Sequence, residues 1–182
     1  PGLVSTATAP AAAKLERLAR RESFVWRHAD GYVTITNGLA STHNARFGAR
    51  PRVAVVPDGA NLGAPGLGNT AGTRPGDPLA PCTVAYAGHL YAWKGVDVLL
   101  AAISHVPDVQ GLVIGGHEKE PDLARRRALA ERLGVDSRVT FTGHLPPSDI
   151  PARLAEADIL VLPNPASAIS THATSPLKLF EY

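Results

Sequence analysis

From residue 82 onward the sequence alternates between short apolar runs and longer stretches with a helical period, and this alternation constrains the fold most. In the stretch 96–105, apolar side chains recur at intervals of three and four residues, as they do on the buried face of a helix. Strands that alternate with helices pair in parallel, because each helix carries the chain back across the sheet. The sequence therefore predicts an α/β fold with a doubly wound, Rossmann-like parallel sheet.

Four strands and four helices are predicted in this part of the chain. The predicted strands are 83–87, 112–114, 138–142 and 158–162, and the predicted helices are 96–105, 121–133, 148–157 and one that begins at Pro176. A complete dinucleotide-binding sheet usually has six strands, so we predict that the sheet is incomplete in this chain. The run of three arginines at 125–127 lies on the second helix and is interpreted as a solvated face.

Residues 1–81 differ in character from the rest. Helices are predicted at 14–28 and 38–47, and strands at 32–36 and 52–56. Residues 57–81 are rich in glycine and proline and have no apolar period, which is typical of a linker. We therefore predict the tail of one domain in 1–56, a linker in 57–81 and a second domain in 82–182.

The loops that follow the predicted strands hold the candidate binding residues, because ligands of such sheets bind outside the carboxyl ends of the strands. Lys94 lies in the first loop at a predicted helix N-terminus, where an ammonium and free N–H groups suit phosphate. His89 lies earlier in that loop. The pair Gly115-Gly116 follows the second strand and permits a tight turn or a close backbone approach. His144 follows the third strand.

The last nine residues, 174–182, read as the start of a helix. Ser175 fits the N-cap and Pro176 fits the first helical position. Glu181 lies further along the helix, where a carboxylate suits the two hydroxyls of a ribose. The alternative for Glu181 is a solvated partner of Lys178 on the helix surface, and Lys178 itself either contacts phosphate or is solvated.

Four segments resemble, in order and spacing, the retaining nucleotide-sugar glycosyltransferases of the GT-B fold (family 4, or group 1). The sequence SPLKLFEY at 175–182 resembles the donor-binding segment of that family. Residues 87–95 resemble its phosphate-binding Gly-Arg…Lys-Gly turn, and residues 139–146 and 157–163 match as well. The resemblance covers about residues 22–182 and is strongest from 83 onward.

The resemblance implies that 1–56 is the tail of the acceptor-side domain and that 82–182 is most of the nucleotide-sugar donor-binding domain. It implies a glycosyltransferase of the hexosyltransferase type, which moves a sugar from a nucleoside-diphosphate sugar to an acceptor with retention and without a metal. The catalytic residues that it indicates are Lys94 and His89. The donor-binding residues that it indicates are Gly88, Lys94, Gly116, His144, Thr174, Ser175, Leu177, Lys178 and Glu181.

Two positions depart from the family pattern. His89 stands where the family usually has an arginine, so a fixed positive charge is missing from the loop. Ala173 stands where the first glutamate of the family's Glu-x7-Glu pattern falls, and Glu181 occupies the second position. In the family the first glutamate lies near the transferred sugar. Its absence leaves sugar selection and part of catalysis to other groups, and His172 and Thr174 are the candidates.

Two further readings stay open beside a glycosyltransferase. One is a nucleotide-sugar 2-epimerase of the same architecture, which keeps the fold and changes the reaction. The other is a degenerate, non-catalytic nucleotide-sugar-binding module, and both His89 and Ala173 favour it. We also expect the isolated chain to be inactive in transfer, because in the family the acceptor site lies mostly in the preceding domain.

Composition limits the partners. The net charge of +2 weighs against a general nucleic-acid binder, and the single cysteine, Cys82, suits a reducing cytoplasm. No histidine or carboxylate cluster has metal-ligand spacing, so we predict neither a metal nor a cofactor beyond the donor substrate. The expected partners are a nucleotide-sugar donor and a carbohydrate or lipid-linked acceptor, in polysaccharide biosynthesis. The expected location is the cytoplasm, and a peripheral contact with the inner membrane surface through parts outside this chain stays open.

Overall fold

The computed structural model describes residues 12–59, 81–117 and 121–182. The chain divides into two compact units. The first unit is Pro1–Gly59 with Ala166–Leu177, and the second is Ala60–Pro165 with Lys178–Tyr182. Most of the predicted linker at 57–81 lies outside the described residues, so the predicted domain boundaries stay predictions.

The described residues form seven helices and six strands. In chain order they are α1 (Ala12–His28), β1 (Tyr32–Thr34), α2 (Asn37–Phe47), β2 (Val53–Val55), β3 (Cys82–Ala87), α3 (Val96–His105), β4 (Val109–Ile114), α4 (Pro121–Arg132), β5 (Val139–Gly143), α5 (Ile150–Leu154), β6 (Ile159–Leu160), α6 (Ala168–His172) and α7 (Lys178–Glu181). Short 3₁₀ turns occur at Ala92–Lys94 and Asp136–Arg138.

In the first unit, β1 and β2 pair in parallel, and their core is aromatic. The indole ring of Trp26 is buried and contacts the rings of Tyr32 and His43, with centroids 4.8 and 5.1 Å away. Its Nε1–H donates a hydrogen bond of 2.9 Å to the carbonyl of Gly48. Arg50 lies over the indole ring, 5.5 Å from its centroid. The side chain of Trp26 thus ties α1 to the strand pair and to the end of α2.

The second unit is built on four parallel strands in the order β5-β4-β3-β6. Counted within this sheet, the order is 3-2-1-4, which is the first part of the doubly wound 3-2-1-4-5-6 arrangement. The direction of strand order reverses between β3 and β6. The predicted α/β, Rossmann-like parallel sheet is therefore confirmed. The site of interest is the carboxyl edge next to this reversal, because ligands of such sheets bind there.

Both faces of the sheet are covered, as a doubly wound fold requires. On one face Tyr86 and Val113 pack against apolar side chains of α3 and α4. On the other face Ala85 and Leu112 pack against α5 and Tyr182. Neighbouring residues of a strand point to opposite faces, so the apolar runs that end β3 and β4, at 84–87 and 112–114, bury both sides.

Several element boundaries differ from the predicted ones. Strand β6 has only two residues, and α5 is shorter than the predicted 148–157. The last helix begins at Lys178, two residues later than predicted. Ser175 does not cap it as predicted: its Oγ accepts a hydrogen bond of 3.0 Å from the N–H of Asp58. Helix α6 was not predicted at all, because five residues are too few to display an apolar period.

The interpretation of the arginine run as a solvated face is wrong for Arg126. This residue is buried, at 6% exposure, whereas Arg125 and Arg127 are exposed. Its Nη2 donates to the carbonyl of Leu90 at 3.2 Å, and its Nε lies 2.8 Å from Oδ1 of Asp97. This ion pair is close, although its N–H does not point along a hydrogen bond to the carboxylate. Arg126 thereby anchors α4 to the loop after β3 and to the first turn of α3.

We expect the Arg126→Ala substitution to lower the free energy of unfolding of the second unit by about 2–3 kcal/mol. The substitution removes a buried guanidinium that binds a carbonyl and a carboxylate, and it leaves the carbonyl of Leu90 without this donor. The measurement is urea denaturation followed by circular dichroism. Arg127→Ala, one position along the same helix but exposed, is the matched control and should change stability by less than about 0.5 kcal/mol. Equal effects of the two substitutions would contradict the anchoring role.

Candidate functional site

The carboxyl edge of the sheet is formed by glycines that directly follow or end three neighbouring strands. Gly88 follows β3, Gly115 follows β4, and Gly143 ends β5, with φ of 137°, 122° and 71°. The N–H of Gly88 donates to Ile114 O at 2.7 Å, and the N–H of Gly115 donates to Gly143 O at 3.0 Å. A Cβ atom on Gly115 would lie 2.2 Å from the carbonyl oxygen of Gly88. A side chain is thus excluded at Gly115, where the backbone itself lines the edge.

The loop after β3 carries Lys94 to the start of α3. Lys94 ends the 3₁₀ turn, and its N–H donates to Tyr91 O at 2.8 Å. Its ammonium lies 4.0 Å from the centroid of the Trp93 ring. Partial burial lowers the pKa of Lys94, because desolvation disfavours the charged form. No carboxylate among the described residues forms an ion pair with it, so an anionic ligand would be a suitable counter-ion for this ammonium.

The same loop meets the segment that follows β6. Gly95 has a left-handed φ of 79° and caps α3. A Cβ atom on Gly95 would lie 1.8 Å from the carbonyl oxygen of Pro163 and 3.0 Å from Cδ of Pro165. The two connections that flank the reversal of strand order therefore approach each other backbone to backbone. Only glycine fits at this contact.

Helix α7 lies on the end of β3. The ammonium of Lys178 is 3.1 Å from the hydroxyl oxygen of Tyr86 and 4.3 Å from the centroid of its ring. A Cβ atom on Gly88 would lie 1.9 Å from the same ammonium. Four residues further on, the hydroxyl oxygen of Tyr182 accepts a hydrogen bond of 3.0 Å from the N–H of Ala87. The amine of Lys178 is thus held at the carboxyl end of β3.

Tyr86 is a site residue that the sequence did not indicate. It is fully buried, and its hydroxyl donates a short hydrogen bond of 2.6 Å to the carbonyl of His89. Burial, and to a lesser extent the neighbouring Tyr182, raises the pKa of Tyr86 far above its ordinary value. Tyrosine in a buried strand is usually core, so nothing in the sequence distinguishes this one. Its role at the edge becomes visible only because α7 packs on the end of β3.

Each histidine at this edge lies beside another ring. The imidazole of His89 is exposed and stacks on the ring of Tyr91, with centroids 4.9 Å apart and planes 5° apart. The rings of His117 and His144 lie 6.2 Å apart. Gly116 lies against Leu90, whose Cδ1 would be 2.5 Å from a Cβ at that position. His144 and Gly116 are thus both at the edge where the sequence placed them.

The predicted site residues are divided between the two units. Gly88, Gly116, His144, Lys94 and Lys178 all belong to the second unit and lie in loops or elements at the carboxyl edge. The backbone of Glu181 lies in α7, between Lys178 and Tyr182. Its side chain lies outside the described residues, so its ribose contact stays a prediction.

Three predicted donor-binding residues belong to the first unit. The hydroxyl of Thr174 donates to Ile169 O at 2.8 Å, and the hydroxyl of Ser175 accepts from the N–H of Asp58. Leu177 is 42% exposed. Ala173 follows α6 as its C-cap, and its N–H donates to Ile169 O. The donor-binding roles of these three residues remain predictions.

Two features of the described residues bear on metals and membranes. Within residues 12–59, 81–117 and 121–182, no three histidine, cysteine, aspartate or glutamate side chains are grouped as a metal site would need. None of the helices in these ranges combines the length and the apolar character that crossing a membrane requires.

A parallel sheet with this strand order, and with glycines and lysines at its carboxyl edge, defines a Rossmann-like domain of the type that binds nucleotides. The family model described as "Glycosyl transferases group 1" matches residues 81–182. The chain therefore belongs to the group 1 glycosyltransferases, and the predicted family is confirmed.

Individual proteins agree with this assignment. The chain is 33% identical over 160 residues to the D-inositol 3-phosphate glycosyltransferase of Segniliparus rotundus. The alignment covers 82% of the chain and 35% of that protein. The sucrose-phosphate synthase structure from Thermosynechococcus elongatus aligns with a TM-score of 0.63 at 23% identity, over 86% of the chain and 41% of the other. HepE of Anabaena, in complex with UDP-glucose, aligns with a TM-score of 0.60 at 20% identity, over 80% and 41%.

The structural alignments show the fold, which is that of the GT-B glycosyltransferases. The chain spans about a third of the length of the curated relatives that it matches. The activity of the whole protein is therefore treated below as a proposal.

Proposed function

We propose that this chain is the donor-binding part of a glycosyltransferase that moves a sugar from a nucleoside-diphosphate sugar to an acceptor, with retention and without a metal. The observation that carries the proposal is the pair of lysines at the carboxyl edge. The Lys178 ammonium is held over Gly88, and Lys94 directly precedes the N-cap of α3, with its ammonium over the Trp93 ring. Both belong to the segments that flank the reversal of strand order, where a nucleotide is expected.

The proposed role of the two lysines follows from where negative charge develops during sugar transfer. When the bond between the sugar and the diphosphate breaks, negative charge accumulates on the departing diphosphate. Ammonium groups and the first N–H groups of α3 offset that charge, which lowers the barrier. Lysine ammonium groups can supply this charge without a divalent cation, which is the physical reason for proposing metal independence. His89 would add one hydrogen-bond donor beside them.

The close approach of Gly88, Gly115 and Gly143 supports the same proposal. Glycine carries no side chain, so a phosphate or a sugar can approach the backbone of this edge closely. The Anabaena HepE structure contains UDP-glucose, so UDP is the first nucleotide to test. The curated relatives are named D-inositol 3-phosphate glycosyltransferases, so the first acceptor to test is D-inositol 3-phosphate.

The test uses the complete gene product that contains this chain. We expect mass spectrometry to detect a glycosylated acceptor after incubation with a nucleoside-diphosphate sugar. NMR coupling constants should show the donor's anomeric configuration in the product, and EDTA should leave the rate unchanged. Loss of the product on adding EDTA would contradict metal independence, and inverted configuration would contradict retention.

A non-catalytic binding module is the second candidate, because Ala173 stands where the family's first glutamate falls. Its expected signature is calorimetric binding of one nucleoside diphosphate without transfer to any acceptor and without hydrolysis of the donor. A 2-epimerase would instead convert the donor sugar itself, which the same mass and NMR analysis distinguishes.

A further inference from the structure

Tyr86, Lys178 and Gly88 form one connected arrangement at the end of β3. An ammonium has only N–H donors, so the hydroxyl oxygen of Tyr86 must accept in its contact with Lys178. The single hydroxyl proton of Tyr86 is then directed to the carbonyl of His89, at 2.6 Å. The proton of this hydroxyl and one of its acceptor positions are thus taken up by these two partners.

Tyr86 and Gly88 surround the Lys178 ammonium on three sides, and we call this position its seat. The hydroxyl oxygen of Tyr86 lies on one side, and the face of its ring lies within cation–π distance. On the third side, Gly88 leaves open the volume that a Cβ atom would fill, 1.9 Å from the ammonium. A lysine side chain loses rotamer entropy when it is fixed, so a seat that fixes it beforehand benefits a later ligand.

We propose that Tyr86 is a positioning residue that holds the Lys178 ammonium over Gly88, so that the ammonium meets the diphosphate of the donor. The proposal rests on the proposed function in taking a nucleoside diphosphate as the ligand. Tyr86 acts through Lys178 and does not itself contact the ligand. Its hydrogen bond to His89 also ties the seat to the loop that carries Lys94.

Because Tyr86 is buried, it can hold the Lys178 ammonium at alkaline pH as well. The raised pKa of Tyr86 keeps the phenol protonated, so the hydroxyl continues to donate to His89 while it accepts from Lys178. The contact therefore persists wherever the lysine is charged.

The first experiment measures the lysine itself and needs no ligand. We expect ¹⁵N and ¹³C relaxation of the Lys178 side chain, in the complete gene product, to report a restricted ammonium. In Tyr86→Phe, which keeps the ring and removes only the hydroxyl, the same side chain should become mobile. Tyr32→Phe, a half-buried tyrosine of the first unit, is the matched control and should leave Lys178 unchanged.

The second experiment is a double-mutant cycle read by calorimetry with UDP, and with GDP and ADP. We expect Tyr86→Phe to weaken binding of the nucleotide about fivefold to thirtyfold, because the hydrogen bond that positions Lys178 is lost. In a Lys178→Ala background the same substitution should have no further effect, because Tyr86 acts through the lysine.

The outcomes separate the two proposals. If no nucleoside diphosphate binds the unmodified protein, the proposed function fails, and the ligand named here fails with it. If a nucleotide binds the unmodified protein and Tyr86→Phe equally well, only the positioning role is overturned. Additive losses in the cycle, or a Lys178 ammonium that is as mobile before the substitution as after it, would overturn the positioning role as well.

Discussion

Replacing Gly95 by alanine should destabilise the second unit by about 2–5 kcal/mol, a large loss for a single methyl group. Two costs add. The φ of 79° is a left-handed conformation that disfavours any Cβ, and the new Cβ would lie 1.8 Å from the carbonyl oxygen of Pro163. The atom met is backbone, so no side-chain rotation can relieve the contact. The loop after β3 and the segment after β6 must then separate.

The Gly95→Ala substitution should loosen the structure around β6 before it unfolds the whole second unit. Strand β6 pairs with β3 through only two residues, Ile159 and Leu160, so displacement of the segment after β6 should loosen this pairing first. Hydrogen–deuterium exchange can follow the N–H of Val161, which donates to Ala85 O. We expect its exchange to accelerate more than that of amides in the β3–β4 ladder.

Gly134 provides the matched control. It also has a positive φ, of 66°, and lies in the same unit just after α4, but a Cβ there would meet nothing within 4 Å. Gly134→Ala should therefore cost only the conformational term, about 1 kcal/mol. If Gly95→Ala and Gly134→Ala lower the midpoint of urea denaturation equally, the close approach of the two loops is wrong.

The parallel α/β architecture could be predicted from the sequence because it depends on repeated features. Strands β3 and β4 end in apolar runs at 84–87 and 112–114, and α3 has a clear period with Val96, Leu99 and Leu100 buried. Such signals are spread over many residues, so they survive errors at single positions. The predicted α3 boundaries agree with the structure, as does the parallel pairing of all four strands.

The site could be predicted only in part, because its decisive contacts join residues distant in sequence. Gly88 and Lys94 are near neighbours in one loop, and their spacing is readable. The Tyr86–Lys178 contact spans 92 residues, and the Arg126–Leu90 contact spans 36. Neither tyrosine in a strand nor arginine in a basic run has a local feature that reveals its partner. These contacts depend on how α7 and α4 lie against β3 and its loop.

The short elements were missed for a related reason. Helix α6 begins after Ser167, whose Oγ accepts from the N–H of Ser170 at 3.1 Å. That capping contact stabilises a single helical turn, which needs no apolar face of its own. The sequence around it contains alanine, serine and proline and is equally typical of a loop.

Replacing Lys94 by alanine should weaken binding of the nucleoside diphosphate about tenfold to hundredfold, because one charge-assisted contact contributes about 1.5–3 kcal/mol. Lys94 directly precedes Gly95, the N-cap of α3, and no described carboxylate pairs with its ammonium, so a diphosphate competes only with the Trp93 ring for this charge. The measurement is calorimetry with UDP, GDP and ADP on the complete gene product. Lys94→Arg keeps the charge and should recover part of the affinity.

The pH dependence identifies the group responsible. Burial lowers the pKa of Lys94 below the ordinary 10.5, and the charged form is the one that attracts a diphosphate. Affinity should therefore fall as the pH rises through that lowered pKa, and the fall should begin at lower pH than for an exposed lysine. In Lys94→Ala this part of the decline should disappear. Lys14→Ala, which removes an exposed charge from α1, controls for net charge and should leave both affinity and pH profile unchanged. If Lys94→Ala and Lys14→Ala bind the nucleotide equally well, Lys94 is not a phosphate ligand.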